Sequence, residues 1–398
     1  MKERGKNIKK NTQSNYIQLD FIIILLALMI ISVLAIYNAQ QLGQYNENFA
    51  LKQTIYFALG ILFVISIQFI DLDIIYKLSS YFYLFGVLLV ISLYFSPSSI
   101  ARPVNNAKSW FNELPFLTIQ PSEIAKIFLI LFMARLIVKH KEKYAINTMK
   151  TDFWLVTKLI LAVGIPVSFI IQEPDLGISL VFLFITAVVI ILSNINWKLL
   201  CTLIVGGGLF VTLALFLTVN FPDLAEKGLG IKPYQIERVT TWFDPTEQVD
   251  NDRYQIERSL TTIGSGELTG KGLGKAEVAL PEAHTDFIFS IVGESFGFIG
   301  SAIVIFIFFL LIYRLVTLGL SSFEFSPYAA YICFGFMAML VIHTFQNIGM
   351  TIGLMPVTGV PLLFLSYGGS TVLSTMLLFG IIYRIAVEES RQQEFLFK

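Results

Sequence analysis

Apolar stretches about as long as a bilayer is thick recur along this chain, and they limit its fold more than any motif. Residues 21–37, 178–195, 199–219 and 287–313 are such runs. Roughly 18 consecutive apolar residues suggest a helix that crosses the hydrocarbon core. Of 398 residues, 55% are hydrophobic and 14% charged, too little polar surface for a soluble protein of this length. The chain therefore reads as an all-α polytopic membrane protein.

Hydropathy marks about ten spans, near 17–37, 52–70, 79–96, 121–138, 153–172, 176–195, 198–219, 286–313, 328–352 and 367–387. Lys2, Arg4, Lys6, Lys9 and Lys10 precede the first. The sequence Ile36-Tyr37-Asn38 that follows it lacks small residues for cleavage, so a retained helix behind a cytoplasmic tail is expected. An even number of spans puts both termini in the cytoplasm. Arg135, Lys139, Lys141, Lys143, Lys150, Arg314 and Arg384 then fall inside, as the positive-inside rule asks. The expected division is a basic tail at 1–16, one transmembrane domain at 17–388 and a second tail at 389–398. Segment 221–285 is a large extracytoplasmic loop, long enough to escape the charge rule.

The net formal charge is zero, which gives no sign of a nucleic-acid partner. Cys201 and Cys333 lie in apolar segments and read as packing residues, and three scattered histidines argue against a zinc site. The pentapeptide at 234–238, YQIER, recurs at 254–258. Two copies are too few for a repeat architecture, and both suit short amphipathic helices on the membrane surface.

Three acids stand at helix starts that this topology turns outward. Pro121 suits the first position of span four, which puts Glu123 in the first turn. Pro174 does the same for span six and Asp175. Thr285 is expected to cap span eight, with Asp286 next. One acid at a helix N-terminus is explained by the helix dipole, worth roughly 0.3–1 kcal/mol. Three at one membrane level, beside a long outer loop, point to a site. Lys126 shares a helix face with Glu123 inside an apolar span, so it should face the interior and pair with an acid. A structural ion pair and a substrate-phosphate contact both remain open for it.

Gly293, Gly297 and Gly300 form a small-residue stripe that suits close helix packing. Glu294, deeper in the same span, is either functional or a buried partner for another polar group. His343, Gln346 and Asn347 on span nine suit hydrogen bonding between helices. Segment 355–370 is rich in Gly, Pro and Ser, and reads as a folded outer loop or re-entrant segment. Residues 264–272, GSGELTGKG, fail the phosphate-loop pattern, because Ser265 stands where the first glycine belongs and Gly272 where Ser or Thr follows lysine.

Trp110, QPSEIAK at 120–126, EPDLG at 173–177, IGSGELTGKGLG at 263–274, LPEAHTDFIF at 280–289 and NIGMTIGLMPVTGVPLLFLSYGGS at 347–370 together resemble the SEDS family (shape, elongation, division and sporulation) of bacterial cell-wall polymerases. The resemblance spans nearly the whole chain, and the 347–370 wording and the GKG element look more like the elongation-type RodA branch than the division-type FtsW branch. Leu363, Ser295 and Glu267 depart from the usual pattern without touching the three acids.

The resemblance implies a peptidoglycan glycosyltransferase that polymerises lipid II at the outer face of the bacterial cytoplasmic membrane. It also implies pairing with a class B penicillin-binding protein. Such chemistry needs a base at the acceptor hydroxyl and positive charge at the leaving group. Asp286 is the expected base, with the helix dipole keeping it ionised. Glu123, Lys126 and Asp175 are expected to line the same cavity. Arg238, Arg253, Arg258 and Lys271 are candidates for pyrophosphate contacts, and Trp110 for stacking on sugar or anchoring at the interface. A divalent cation bridging carboxylates and pyrophosphate is compatible with this chemistry, but the sequence establishes none. Two other classes remain open: a lipid-precursor flippase, which would favour polar groups at the midplane, and a non-catalytic scaffold for a transpeptidase.

Overall fold

Side chains that are apolar all round a helix must be surrounded by protein or lipid, and the architecture divides the helices along that line. The computed structural model describes residues 17–44, 47–97, 100–101, 108–111, 118–144, 146–173, 175–243 and 251–396. The basic tail at 1–16 and Pro174 lie outside the described residues. In chain order the helices are α1 (Leu19–Gln40), α2 (Phe49–Ile67), α3 (Leu72–Phe95), α4 (Pro121–Lys143), α5 (Met149–Ile170), α6 (Leu176–Leu192), α7 (Trp197–Asn220), α8 (Pro222–Leu229), α9 (Pro233–Phe243), α10 (Asn251–Ser265), α11 (Ile288–Ser322), α12 (Pro327–Thr351) and α13 (Gly369–Leu396). The one strand-like pairing among the described residues is a bridge between Phe111 and Ile119.

Each of the ten expected apolar segments is a helix: α1–α7 and α11–α13. Eight are long and apolar enough to cross a membrane. Of the other two, α6 has 17 residues, and α4 carries Glu123, Lys126 and Arg135 along its length. Helix α3 starts seven residues before the apolar window that marked it. The described part of segment 221–285 holds α8, α9 and α10, and both YQIER copies fall on helices.

Helices α12 and α13 form the centre: 78% and 72% of their apolar windows are buried, against 6% for α7. Phe210, Leu213 and Phe216 of α7 are exposed, which in a membrane chain means facing lipid. Helix α12 packs on α4, α6 and α11, and α13 on α2 and α4. The ends of α4, α6 and α13 thus meet near one side of the bundle.

Helix α11 is broken at Gly297, where φ is 67° and ψ −164°, a left-handed conformation that glycine adopts without penalty. Segment 266–272 lies in the break. Its Lys271 and Gly272 amides donate to the Glu294 and Ser295 carbonyls at 2.9 and 3.0 Å, and the Phe298 and Ile299 amides donate back to Glu267 and Leu268 at 2.8 and 3.1 Å. Carbonyls and amides freed by the break are thereby satisfied inside the membrane-facing bundle. A Cβ on Gly297 would stand 2.4 Å from the Gly270 nitrogen, and one on Gly266 would stand 2.0 Å from the Gly293 carbonyl oxygen. Gly297 therefore admits this strap, whereas a Cβ on Gly293 would stand 3.2 Å from Ile263 of α10, the close helix packing that its spacing suggests. Glu294 is fully buried and is the strap's partner: Lys271 Nζ lies 2.8 Å from its carboxylate.

Candidate active site

The turn at 280–287 is anchored by Leu280, Ala283 and Phe287, which are buried against Ala39, Met350 and Val357. Three consecutive carbonyls of this turn are held from outside it. The Tyr367 amide donates to His284 O at 2.9 Å, Ser366 Oγ donates to Thr285 O at 2.7 Å, and Asn347 Nδ2 donates to Asp286 O at 2.8 Å. A backbone pinned at three successive residues fixes the point from which the Asp286 side chain projects. Gly359, at φ +68°, lies against that side chain: a Cβ there would be 3.5 Å from Asp286 Oδ2.

Two expectations about this turn change. Thr285 does not cap α11. Its hydroxyl donates instead to the Glu282 backbone and carboxylate at 3.3 and 3.1 Å, because the chain at 280–287 is a series of turns and α11 starts only at Ile288. Asp286 therefore precedes the helix, and the dipole is not what governs its charge. Burial pushes its pKa from the ordinary 3.8 up to about 7, with help from the neighbouring Glu282 and Asp175 carboxylates and opposition from Arg238.

Asp175 is the N-cap of α6 rather than a first-turn residue: its Oδ1 accepts from the Ile178 amide at 3.1 Å. Gln120 Nε2 donates to its other oxygen at 3.4 Å. Burial raises its pKa to about 6. The Ile178 hydrogen bond opposes that rise and the Glu123 charge adds to it. The first turn of α6 packs closely on the 358–360 segment, since a Cβ on Gly177 would stand 2.5 Å from Thr358 O and 2.7 Å from Val360 Cγ2. Gly177→Ala should therefore push this wall aside. A loss of about 1–3 kcal/mol is expected, as for other overpacked sites. A lower thermal midpoint in detergent would show it, and an unchanged midpoint would mean the wall yields freely.

Asp175 and Asp286 line one cavity of about 370 Å³ together with Trp110, Arg238, Glu282 and Tyr367. Trp110 is on the segment that the Phe111–Ile119 bridge ties down, and Arg238 is on α9. Glu282 is the acid that the sequence reading passed over, although it stands four residues before Asp286 in the same motif. Two larger cavities, about 540 Å³ each, lie at the far ends of α11–α13 and α4 and contain none of these residues.

Glu123 and Lys126 are not on the cavity wall. Both side chains are wholly buried and paired at 2.9 Å, and Ser374 Oγ of α13 donates to the other Glu123 oxygen at 3.4 Å. The pair lies behind Asp175, because α12 and α13 cover the face of α4 that carries it. Arg258 and Lys271 are also outside the cavity. Arg258 lies over the Tyr254 ring at 5.2 Å, Lys271 pairs with Glu294 and Glu277, and Arg253 pairs with Glu257 at 2.8 Å. Of the four basic candidates, the fold brings only Arg238 to the two carboxylates. Among the described residues no three His, Cys, Asp or Glu side chains are grouped to hold a metal ion, and the two cysteines are unpaired.

Taken together, the cavity offers a carboxylate of raised pKa on a pinned backbone, two further carboxylates, a guanidinium and two aromatic rings. That set can accept a proton from a hydroxyl, oppose a pyrophosphate and stack on a sugar.

A family model described as cell cycle protein, FtsW/RodA/SpoVE, matches residues 13–391. A probable peptidoglycan glycosyltransferase FtsW of Wigglesworthia glossinidia brevipalpis is 32% identical over 371 residues, 91% of each chain. That of Coxiella burnetii (strain RSA 493 / Nine Mile phase I) is 30% identical over 366 residues, 91% of this chain and 92% of the relative. A solved structure named "Structural coordination of polymerization and crosslinking by a peptidoglycan synthase complex" superposes with a TM-score of 0.73 at 27% identity, covering 93% of this chain and 98% of that one. The rod shape determining protein RodA of Thermus thermophilus superposes at 0.64 with 25% identity, covering 92% and 95%.

Proposed function

The chain belongs to the FtsW/RodA/SpoVE family of cell cycle proteins, and on that premise we propose that it is a multi-pass peptidoglycan glycosyltransferase. It polymerises lipid II at the outer face of the bacterial cytoplasmic membrane. The observation that carries the proposal is the convergence of Asp175, Arg238 and Asp286, from three separate parts of the chain, on one cavity.

The reaction joins a sugar hydroxyl of lipid II to the anomeric carbon of a glycan linked to lipid pyrophosphate. The Asp286 carboxylate takes the hydroxyl proton as the oxygen attacks from the face opposite the pyrophosphate. The anomeric C–O bond breaks, lipid pyrophosphate leaves with the bonding pair, and an α-linkage becomes a β-linkage. Arg238 opposes the charge growing on the leaving group. Burial, and after it the Glu282 and Asp175 charges, keep the Asp286 proton affinity high, which suits a base working near neutral pH.

A pH profile follows from those carboxylates. A base is active without its proton, so kcat/KM should fall as pH drops through about 7, the value to which Asp286 is raised, rather than near 4 as for an ordinary aspartate. Stability moves the other way. The folded state holds this proton more tightly than the unfolded chain, so the thermal midpoint of wild type relative to Asp286→Asn should rise as pH falls from about 7 toward 4. An acid limb near pH 4 would contradict the assignment.

Polymer formation by purified protein in detergent tests the function. Without two compartments a flippase has nothing to do, so glycan product demands catalysis. Absence of polymer from well-folded protein with its transpeptidase partner present would leave the transporter and scaffold readings. Within the family, the 347–370 wording and the GKG element support the elongation branch, whereas the Wigglesworthia and Coxiella relatives carry the division-type name FtsW and the Thermus structure the name RodA. Complementation of elongation-depleted against division-depleted cells separates the branches. We also infer that the partner is a class B penicillin-binding protein, in keeping with the synthase complex whose fold this chain shares, and that both termini are cytoplasmic, with segment 221–285 outside.

A further inference from the structure

Helix α12 places His343 and Asn347 one turn apart, and both are fully buried. Asn347 Nδ2 donates to Asp286 O at 2.8 Å and to Val360 O at 2.9 Å, so one amide joins the Asp286 turn to the loop that lies against its carboxylate. His343 holds the next residue of that loop, with its Nδ1 2.8 Å from Pro361 O. Its Nε2 is 3.0 Å from Lys126 Nζ. These partners fix the tautomer. A carbonyl only accepts, so Nδ1 carries the proton, and an ammonium only donates, so Nε2 is the acceptor and the ring is neutral.

We propose that His343 is a positioning residue for Asp286: as the neutral Nδ1–H tautomer it fixes the 358–361 loop against the Asp286 carboxylate and ties that loop to the buried Glu123–Lys126 pair. The inference rests on the reading of Asp286 as the base. It gives the ion pair, which does not reach the cavity, a route to the reacting groups. The route runs from Glu123 to Lys126, to the His343 ring, to the Pro361 carbonyl and so to Gly359, whose left-handed backbone faces Asp286 Oδ2. The Pro361 contact is the decisive link, because of the two His343 ring contacts it is the one that touches the loop.

The two ring nitrogens can be tested separately. An asparagine amide sits where Nδ1 sits, so His343→Asn keeps a donor for Pro361 O and gives up Lys126. A glutamine amide reaches the Nε2 position, so His343→Gln keeps Lys126 and gives up Pro361. His343→Leu gives up both. In lipid II polymerisation by the full-length protein, His343→Leu should lower kcat about 10–100-fold, the scale on which small misplacements of reacting groups act. KM should stay within about threefold, since ground-state binding is untouched. The Asn variant should recover most of kcat, and the Gln variant should stay near the Leu variant.

Wild-type kcat in His343→Leu, or a KM that rises in step with the loss, overturns the proposal. Where the Leu variant fails to fold, the remaining pair decides: Asn above Gln sustains the proposal and Gln at or above Asn overturns it. Asp286→Asn runs alongside. Polymer from that variant removes the base assignment itself, whereas an inactive Asp286→Asn beside an unimpaired His343→Leu removes only the role of His343.

Discussion

Asp286→Asn is expected to fold, insert and bind lipid-linked precursor, yet form no detectable glycan polymer. Loss of a general base costs about 10²–10⁴ in rate, and asparagine offers no basic oxygen in its place. The fold should survive because what holds this turn is backbone. The carbonyls of His284, Thr285 and Asp286 take hydrogen bonds from Tyr367, Ser366 and Asn347, and none of these involves the carboxylate. The substitution also removes a charge that the cavity disfavours, so near neutral pH the variant should melt no lower than wild type. Thermal unfolding alongside the polymerisation assay reads both outcomes. Full polymerisation would reject Asp286 as the base, and a collapsed variant would mean the carboxylate itself is structural.

Lys126→Met should be the most damaging single change to stability among the residues discussed. Glu123 and Lys126 are each 0% exposed and pair at 2.9 Å. Removing one member strands the other charge in a medium that solvates it poorly, at a cost of about 3–5 kcal/mol. Ser374, at 3.4 Å from the second Glu123 oxygen, is too weak a donor to compensate. Adding Glu123→Gln should recover much of the loss, since well-packed neutral groups often replace a buried pair without penalty. Thermal unfolding of the wild type, the two single variants and the double variant forms the cycle. A Lys126→Met midpoint equal to wild type, or a double variant worse than both singles, would contradict the account of this pair.

The helices were legible because their apolar length is set by the bilayer, and all ten expected segments are helical. Ends were harder to read. Asp286 precedes α11 because tertiary hydrogen bonds to the 280–287 turn decide where that helix begins, whereas Asp175 stands one position earlier than its proline suggests because it caps α6 itself. The glycines at 293 and 297 carry a signal of close approach, but composition alone does not say that helix α10 meets the first and the strap the second. Residues 264–272 fail the phosphate-loop pattern, and what their backbone binds is the broken backbone of α11. Charge marks Lys271 and Arg258 as pyrophosphate candidates, and charge does not reveal that an acid or an aromatic ring of the same chain already engages them. Glu282 was readable in principle from its place in LPEAHTD. His343 was noted as a helix-contact residue, but its reach to Pro361 depends on a loop that folds back eighteen residues later.

The claim beneath all of this is that a lipid-tethered sugar reacts in the cavity shared by Asp175, Arg238 and Asp286. A structure of the Asp286→Asn protein with lipid II bound tests it most directly. The account predicts a sugar hydroxyl about 2.6–3.2 Å from the residue-286 side chain, the reach of a general base, with pyrophosphate on the Arg238 side. Lipid II seated elsewhere, with this cavity closed to it, would contradict the account.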